Sequence, residues 1–170
     1  KKELLRTKIE NETEHITDGL GEKIDSGIKE AVIAFKLNGF ETNWSCEGHI
    51  DRAYPYSWIN IIAPTRNSSR YKELQKKYKE KQFLTFPETE EGLLISNKIA
   101  EEEKEIGNRL EKLLDEFYKN SGGEKLITIK KYTSWYRIQP IGIEEFKAIK
   151  SDDKELTELE RQKRIEFLDK

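Results

Sequence analysis

The run NWSCEGHID, residues 43–51, places the chain's only cysteine, Cys46, three positions before one of its two histidines, His49, with Glu47 and Gly48 between them. A thiol beside an imidazole supports more than one chemistry. Cys46 can act as a nucleophile with His49 as its base, because a neighbouring imidazolium favours the thiolate; Glu47 would be the third titratable group of such a catalytic set. Cys46 and His49 can instead be two zinc ligands, with His15, Glu47 or Asp51 completing a tetrahedral site. A third use relies on the backbone: successive N–H groups in a turn around Gly48 form a nest for an anion, with Ser45 and His49 adding donors and Arg52 completing the grip. The architectural alternative gives Gly48 a positive φ, lets Ser45 bond its own backbone, buries Cys46 as a small apolar group and has His49 cap the next turn.

Aromatic residues crowd the same neighbourhood: Trp44, Tyr54, Tyr56 and Trp58 near the loop, Trp135 with Tyr136 further on. Sheet core and cross-strand pairing account for most of them. Where one or two line the loop, a base or sugar can stack there and Arg66, Arg70 or Arg137 can meet its phosphate. The expected ligand is therefore small, anionic and phosphate-bearing or nucleotide-like, with Ser45, Gly48, Trp44, Arg52 and Trp58 as the binding set. No cofactor is specified by these residues alone.

The surrounding elements must hold this loop. Ile24, Ile28, Ala31, Val32 and Phe35 fall on one face of a helix, Asn38-Gly39 offers a left-handed stop, and Phe40 is placed to close a Schellman motif. Beyond it the period drops to two, putting Phe40, Thr42 and Trp44 on one side of a strand; SWINIIAP reads as a second strand ended by Pro64. The loop thus lies between two strands, where a rigid frame can present exposed groups. SSRYKELQKKYKEKQ predicts a helix capped by Ser68 or Ser69. Arg66 to Lys81 carries seven basic and two acidic residues, whereas Glu88 to Glu105 carries seven acidic and two basic ones. The second of these stretches opens a long helix over about 90–119, stopped at Ser121-Gly122-Gly123. The two charged helices can lie antiparallel and offset each other, or act independently. KLITIKKY and WYRIQPIG predict a second hairpin across Thr133-Ser134, followed by helical segments over about 143–149 and 153–168.

The expected architecture is α+β: a mostly antiparallel sheet of about four strands in two hairpins, covered by helices. Residues 1–20 read as a loosely attached arm, part helical, and 21–170 as a single domain. Charged residues make up 38% of the chain, yet Lys plus Arg (31) and Asp plus Glu (33) nearly cancel, so no global field draws it to nucleic acid or anionic lipid. The lone cysteine excludes an internal disulfide framework, and no apolar run is long enough to span a membrane. A soluble, reducing, cytoplasmic setting is expected, without a membrane partner. The rival to a ligand pocket is an interaction module whose charged helices bind a protein or RNA while the loop serves as architecture.

The run GLGEKIDSGIKEAVIAFKLNGFETNWSCEGH with PYSWINIIAP, about residues 19–64, resembles a group of small uncharacterised bacterial proteins in which a helix, a Gly-containing stop and a T-x-x-S-C-E-G-H loop precede a strand. More distantly, Thr42 to Ile50 is similar to the T-x-S-S-C-S-G-R stretch of the tRNA wybutosine-synthesizing protein 3 family, which methylates a hypermodified tRNA guanosine using S-adenosylmethionine. Thr42, Ser45, Cys46 and Gly48 match in kind; Glu47 stands in place of serine and His49 in place of arginine. That likeness implies a methyl donor and an RNA substrate.

Overall fold

The computed structural model describes residues 2–16, 23–80, 89–150 and 152–168. Lys81, Gln82, Glu88 and residues 17–22, which carried parts of the expectations above, lie outside them.

Four strands, β1 Glu41–Cys46, β2 Trp58–Ile62, β3 Ile127–Lys131 and β4 Tyr136–Pro140, form one antiparallel sheet in the order β1-β2-β4-β3. Both hairpins expected from the sequence are present. They join through β2 and β4, which pair Ile59 with Ile138 and Ile61 with Tyr136. Alternation along β2 sends Ile59 and Ile61 into a core shared with Ile28 and Val32 of helix α2 (Ser26–Leu37) and with Ile99, Ile106 and Leu110 of helix α5 (Glu90–Ser121). Burying each such side chain contributes roughly 1.5–3 kcal/mol, which makes this layer the anchor of the fold.

Helix α2 stops as its sequence suggests. Gly39 takes φ +74°, its N–H donates to Lys36 O, and Phe40 N–H donates to Phe35 O, the bond pair of a Schellman motif. The apolar closure is an edge-on contact between the rings of Phe35 and Phe40, 5.9 Å apart. Helix α5 begins at Thr89, whose hydroxyl accepts the Gly92 N–H, and ends at Gly122 with φ +64°. The one-turn helix α3 (Pro64–Asn67) starts with the proline that ends β2, and Ser68 caps helix α4 (Ser69–Glu80) by accepting the Tyr71 N–H.

The basic and acidic stretches offset one another at two points. Arg66 bonds Glu103 and Arg70 bonds Glu91, so position along α5 falls as position along the basic segment rises, the antiparallel relation. Glu102 adds a carboxylate over the start of α3, accepting from both the amide and the hydroxyl of Thr65.

Two local expectations change, and the part-helical N-terminal segment gains detail. The N-terminal segment forms helix α1 (Lys2–Glu14), which packs on α2 through buried Ile9 and Thr13 and carries ion pairs from Arg6 to Glu30 and from Glu14 to Lys29. In β1 the register shifts between Thr42, opposite Ile61, and Trp44, opposite Asn60. Asn43 is the extra residue of a bulge, so Trp44 does not share a face with Thr42 and is 70% exposed. Residues 143–150 are not helical. Phe146 and Ile149 donate their N–H groups to Ala53 O and Asp51 O, so backbone donors that a helix would satisfy internally are satisfied by the loop before β2.

Helix α6 (Lys154–Leu168) ties that strap down with a residue that composition alone would leave in solvent. Arg164 is fully buried; its guanidinium donates to the carbonyls of Ile50, Arg52 and Lys147 and stacks 4.9 Å from the ring of Phe146.

Candidate metal centre

Cys46 ends β1 opposite Trp58, and the bulge at Asn43 decides which way it points. Strict alternation would put Cys46 on the side of Thr42 and the helix-covered core. After the bulge it takes the side of Trp44, Trp58 and Asn60, while Ser45, opposite Ile59, takes the core side. Ser45 and Cys46 therefore do not converge, although both belong to the binding and reactive set read from the loop.

Directly after β1 the chain turns on Gly48, at φ +95°. A Cβ there would lie 2.6 Å from Pro55 O and 2.8 Å from Tyr56 C, so the position needs glycine for its backbone angle and for close packing. The turn leaves His49 Nε2 3.5 Å from Asp25 Oδ2. Asp25 precedes α2, and its same oxygen accepts the Glu47 N–H at 3.0 Å. Glu47 in turn accepts the Gly27 N–H in the first turn of α2 at 2.6 Å, and Ser57 Oγ donates to Glu47 O at 2.5 Å. Glu47, read as a catalytic carboxylate, is held as a brace between the loop and the helix start.

The outcome is a three-donor cluster. One ligand atom each from Asp25, Cys46 and His49 lies within 4.8 Å of the other two, and all three residues are half-buried. Among the described residues no other group of this kind occurs. The third donor is thus Asp25, which the sequence marks only as a residue at a helix start. Of the other residues weighed for that place, His15 turns its Nδ1 to Asn11 O within α1, and Glu47 is engaged with Gly27.

Burial is the main cause that pushes the Cys46 thiol up; the Gly48 N–H, 3.4 Å from Sγ, opposes it, and the Asp25 carboxylate adds to it. These surroundings favour the protonated thiol over a free thiolate nucleophile. A cation between the three donors reverses the balance, because it neutralises the carboxylate and draws the proton from sulfur. The amides that an anion nest would use are committed, Glu47 N–H to Asp25 and Gly48 N–H to Cys46.

Trp58 is half-buried with its ring 4.2 Å from the guanidinium of Arg137, whereas Trp44 and Arg52 are exposed. Arg52 stands near enough to lower the proton affinity of Cys46 slightly. Arg66 and Arg70 face the carboxylates of α5 and not the loop.

No protein-family model, curated protein or solved structure matches the chain. The donor geometry and its surroundings therefore carry the functional reading. No helix among the described residues is long and apolar enough to cross a membrane.

Proposed function

We propose that this protein binds a zinc-class divalent ion through Asp25, Cys46 and His49, and uses the remaining coordination position to hold or activate a small phosphate-bearing or nucleotide-like ligand. One observation carries the reading: three donors of the types zinc prefers, drawn from two separate parts of the chain, meet within 4.8 Å. Zinc bonds of about 2.0–2.3 Å at tetrahedral angles separate ligand atoms by roughly 3.3–3.6 Å. The 3.5 Å between Asp25 Oδ2 and His49 Nε2 already fits, and the cluster needs only a small contraction.

Three protein ligands and one exchangeable position are the pattern of catalytic zinc sites, and a bound water there ionises near neutral pH. The supporting contacts are also of the metal-site kind. A backbone N–H points at the sulfur, and the Asp25 carboxylate is oriented by the Glu47 amide. Arg52 supplies a positive charge at the rim for an anionic ligand. The rival reading, capture of RNA or a protein by the charged helices, loses the two arginines of the basic stretch, Arg66 paired with Glu103 and Arg70 with Glu91, and keeps the exposed Lys72, Lys76 and Lys77 of α4.

Metal-stripped protein titrated with cobalt(II) tests the proposal, because a thiolate ligand produces an intense charge-transfer band. One equivalent should bind with that band, zinc should displace it, and Cys46→Ser should remove the band while Asp25→Asn and His49→Ala weaken binding. Binding without a thiolate band, or unchanged affinity in all three variants, overturns it.

A further inference from the structure

The sheet face that carries Cys46 also carries an unpaired cation. Arg137 sits on the β4 side of the β2–β4 pair, opposite Asn60, and is only 8% exposed. Its Nε donates to Asn60 Oδ1 at 2.9 Å, and among the described residues it forms no ion pair; the carboxylate beside the box, Glu145, is engaged with the Tyr54 hydroxyl. Three rings surround the guanidinium carbon instead: Trp58 at 4.2 Å, Tyr54 at 5.2 Å and Tyr132 at 5.3 Å. Ring faces soften the cost of burying a guanidinium but satisfy none of its N–H groups.

The neighbouring polar atoms repeat the pattern. Among the described residues the Tyr56 hydroxyl, Trp135 Nε1 and Gln139 Oε1 are buried without a hydrogen-bond partner, and Tyr56 and Gln139 are each 5% exposed. All three belong to the surroundings of Arg137. Tyr56 packs edge-on against Tyr54, Trp135 stacks on Tyr132, and Gln139 follows Arg137 by two positions on the same face of β4. A buried polar group without a partner ordinarily has a reason, and three such groups lie around one buried guanidinium. The rings of Tyr54, Trp58, Tyr132 and Trp135 are all half-buried, so the box reaches the surface.

We propose that Arg137 and its aromatic box recognise an oxyanion, the phosphate or carboxylate group of a small ligand, with the Tyr56 hydroxyl and Trp135 Nε1 as further donors. A group rich in acceptor oxygens answers the two orphaned donors, the Tyr56 hydroxyl and Trp135 Nε1, and the guanidinium fork matches two of those oxygens at once; Gln139 Oε1 is an acceptor and is answered instead by a hydroxyl or protonated oxygen of the same ligand. Register places Cys46 and Arg137 on one face with Trp58 between them. A ligand anchored by its anion at Arg137 would thus extend along Trp58 toward the donor cluster. The anion site itself stands on Arg137 and its neighbours and not on the metal reading; only that orientation of the ligand depends on it.

The test uses the full-length protein stripped of metal, titrated with inorganic phosphate and separately with acetate at constant ionic strength, following tryptophan fluorescence, for which Trp58 is the built-in reporter. Saturable quenching or enhancement is expected for at least one probe. Preference for phosphate assigns a phosphate ester, and preference for acetate a carboxylate. Arg137→Gln should weaken binding at least about tenfold. Because that variant can also disturb folding, Asn60→Asp provides the second arm: it places a carboxylate beside Arg137, should leave the protein folded, and should abolish binding by competing for the guanidinium. No saturable response to either probe in the unaltered protein, or undiminished binding in Asn60→Asp, overturns the proposal. Chelation keeps this outcome separate from loss of the metal centre.

Discussion

Asp25 and Glu47 brace each other across the join between α2 and the site loop: Asp25 Oδ2 accepts the Glu47 N–H at 3.0 Å, and the Glu47 carboxylate turns back to accept the Gly27 N–H at 2.6 Å. The brace aligns a donor from the helix start with two donors from the loop, although they are about twenty positions apart in the chain. It is also close-fitting, since a Cβ on Gly27 would lie 2.5 Å from Glu47 Oε2.

Removing the brace should therefore cost both stability and metal. Glu47→Ala is expected to lose about 1–2 kcal/mol in urea denaturation, the range for one charge-assisted cap. Its metal affinity should fall less than about tenfold, because the Glu47 N–H that orients Asp25 survives the substitution and only the tie from the loop to the start of α2 is lost. Glu47→Gln, which keeps an acceptor oxygen, should lose less of each. Equal metal affinity in the unaltered protein and in Glu47→Ala would show that the Glu47 carboxylate's tie to Gly27 does not help position the donors.

Gly48→Ala meets two obstacles at once, a left-handed φ and the carbonyl of Pro55. A loss of at least about 2 kcal/mol is expected. Denaturation midpoints check it, and a variant as stable as the parent would mean that the loop relaxes away from residues 55 and 56.

Arg164 holds three carbonyls, so Arg164→Met should leave Ile50 O, Arg52 O and Lys147 O short of donors and cost about 3 kcal/mol or more. Hydrogen exchange should speed up at the Phe146 and Ile149 amides before it does in β2, because those amides belong to the strap. Arg164→Lys should not rescue the loss, since one ammonium cannot span the fork.

Tyr56 supplies a pH signature. Burial of its hydroxyl pushes its pKa up to about 12. A phenol whose folded value is raised stabilises the fold below the unfolded value, about 10, and loses that contribution as pH rises through the folded value. Stability of the metal-free protein should thus decline from about pH 10 upward. Tyr56→Phe should flatten that part of the decline without lowering stability at neutral pH, because it removes a hydroxyl that has no partner among the described residues.

Much of this chain was legible from local pattern. The face of α2, its stop at Asn38-Gly39 with the Phe35–Phe40 contact, both hairpins, the long α5 and the positive φ of Gly48 all depend on residues a few positions apart, where period and turn chemistry act directly. The cancellation between the basic and acidic helices was also visible as composition, although the partners Arg66–Glu103 and Arg70–Glu91 were not.

What tertiary structure alone decided lies at long range. A period-two reading assumes one residue per pleat, and the bulge at Asn43, set by pairing with β2, breaks that assumption and turns Cys46 away from the core side. Asp25 becomes the third donor because α2 packs against β1 and brings its first residues to the end of that strand. Arg137, named in the sequence only as one of three arginines able to meet a phosphate, and Arg164 are buried because a sheet face and a strap close over them. Sequence determined the elements and the chemistry each could offer; packing between distant segments selected which side chains meet, because contacts across many residues leave no period in the chain.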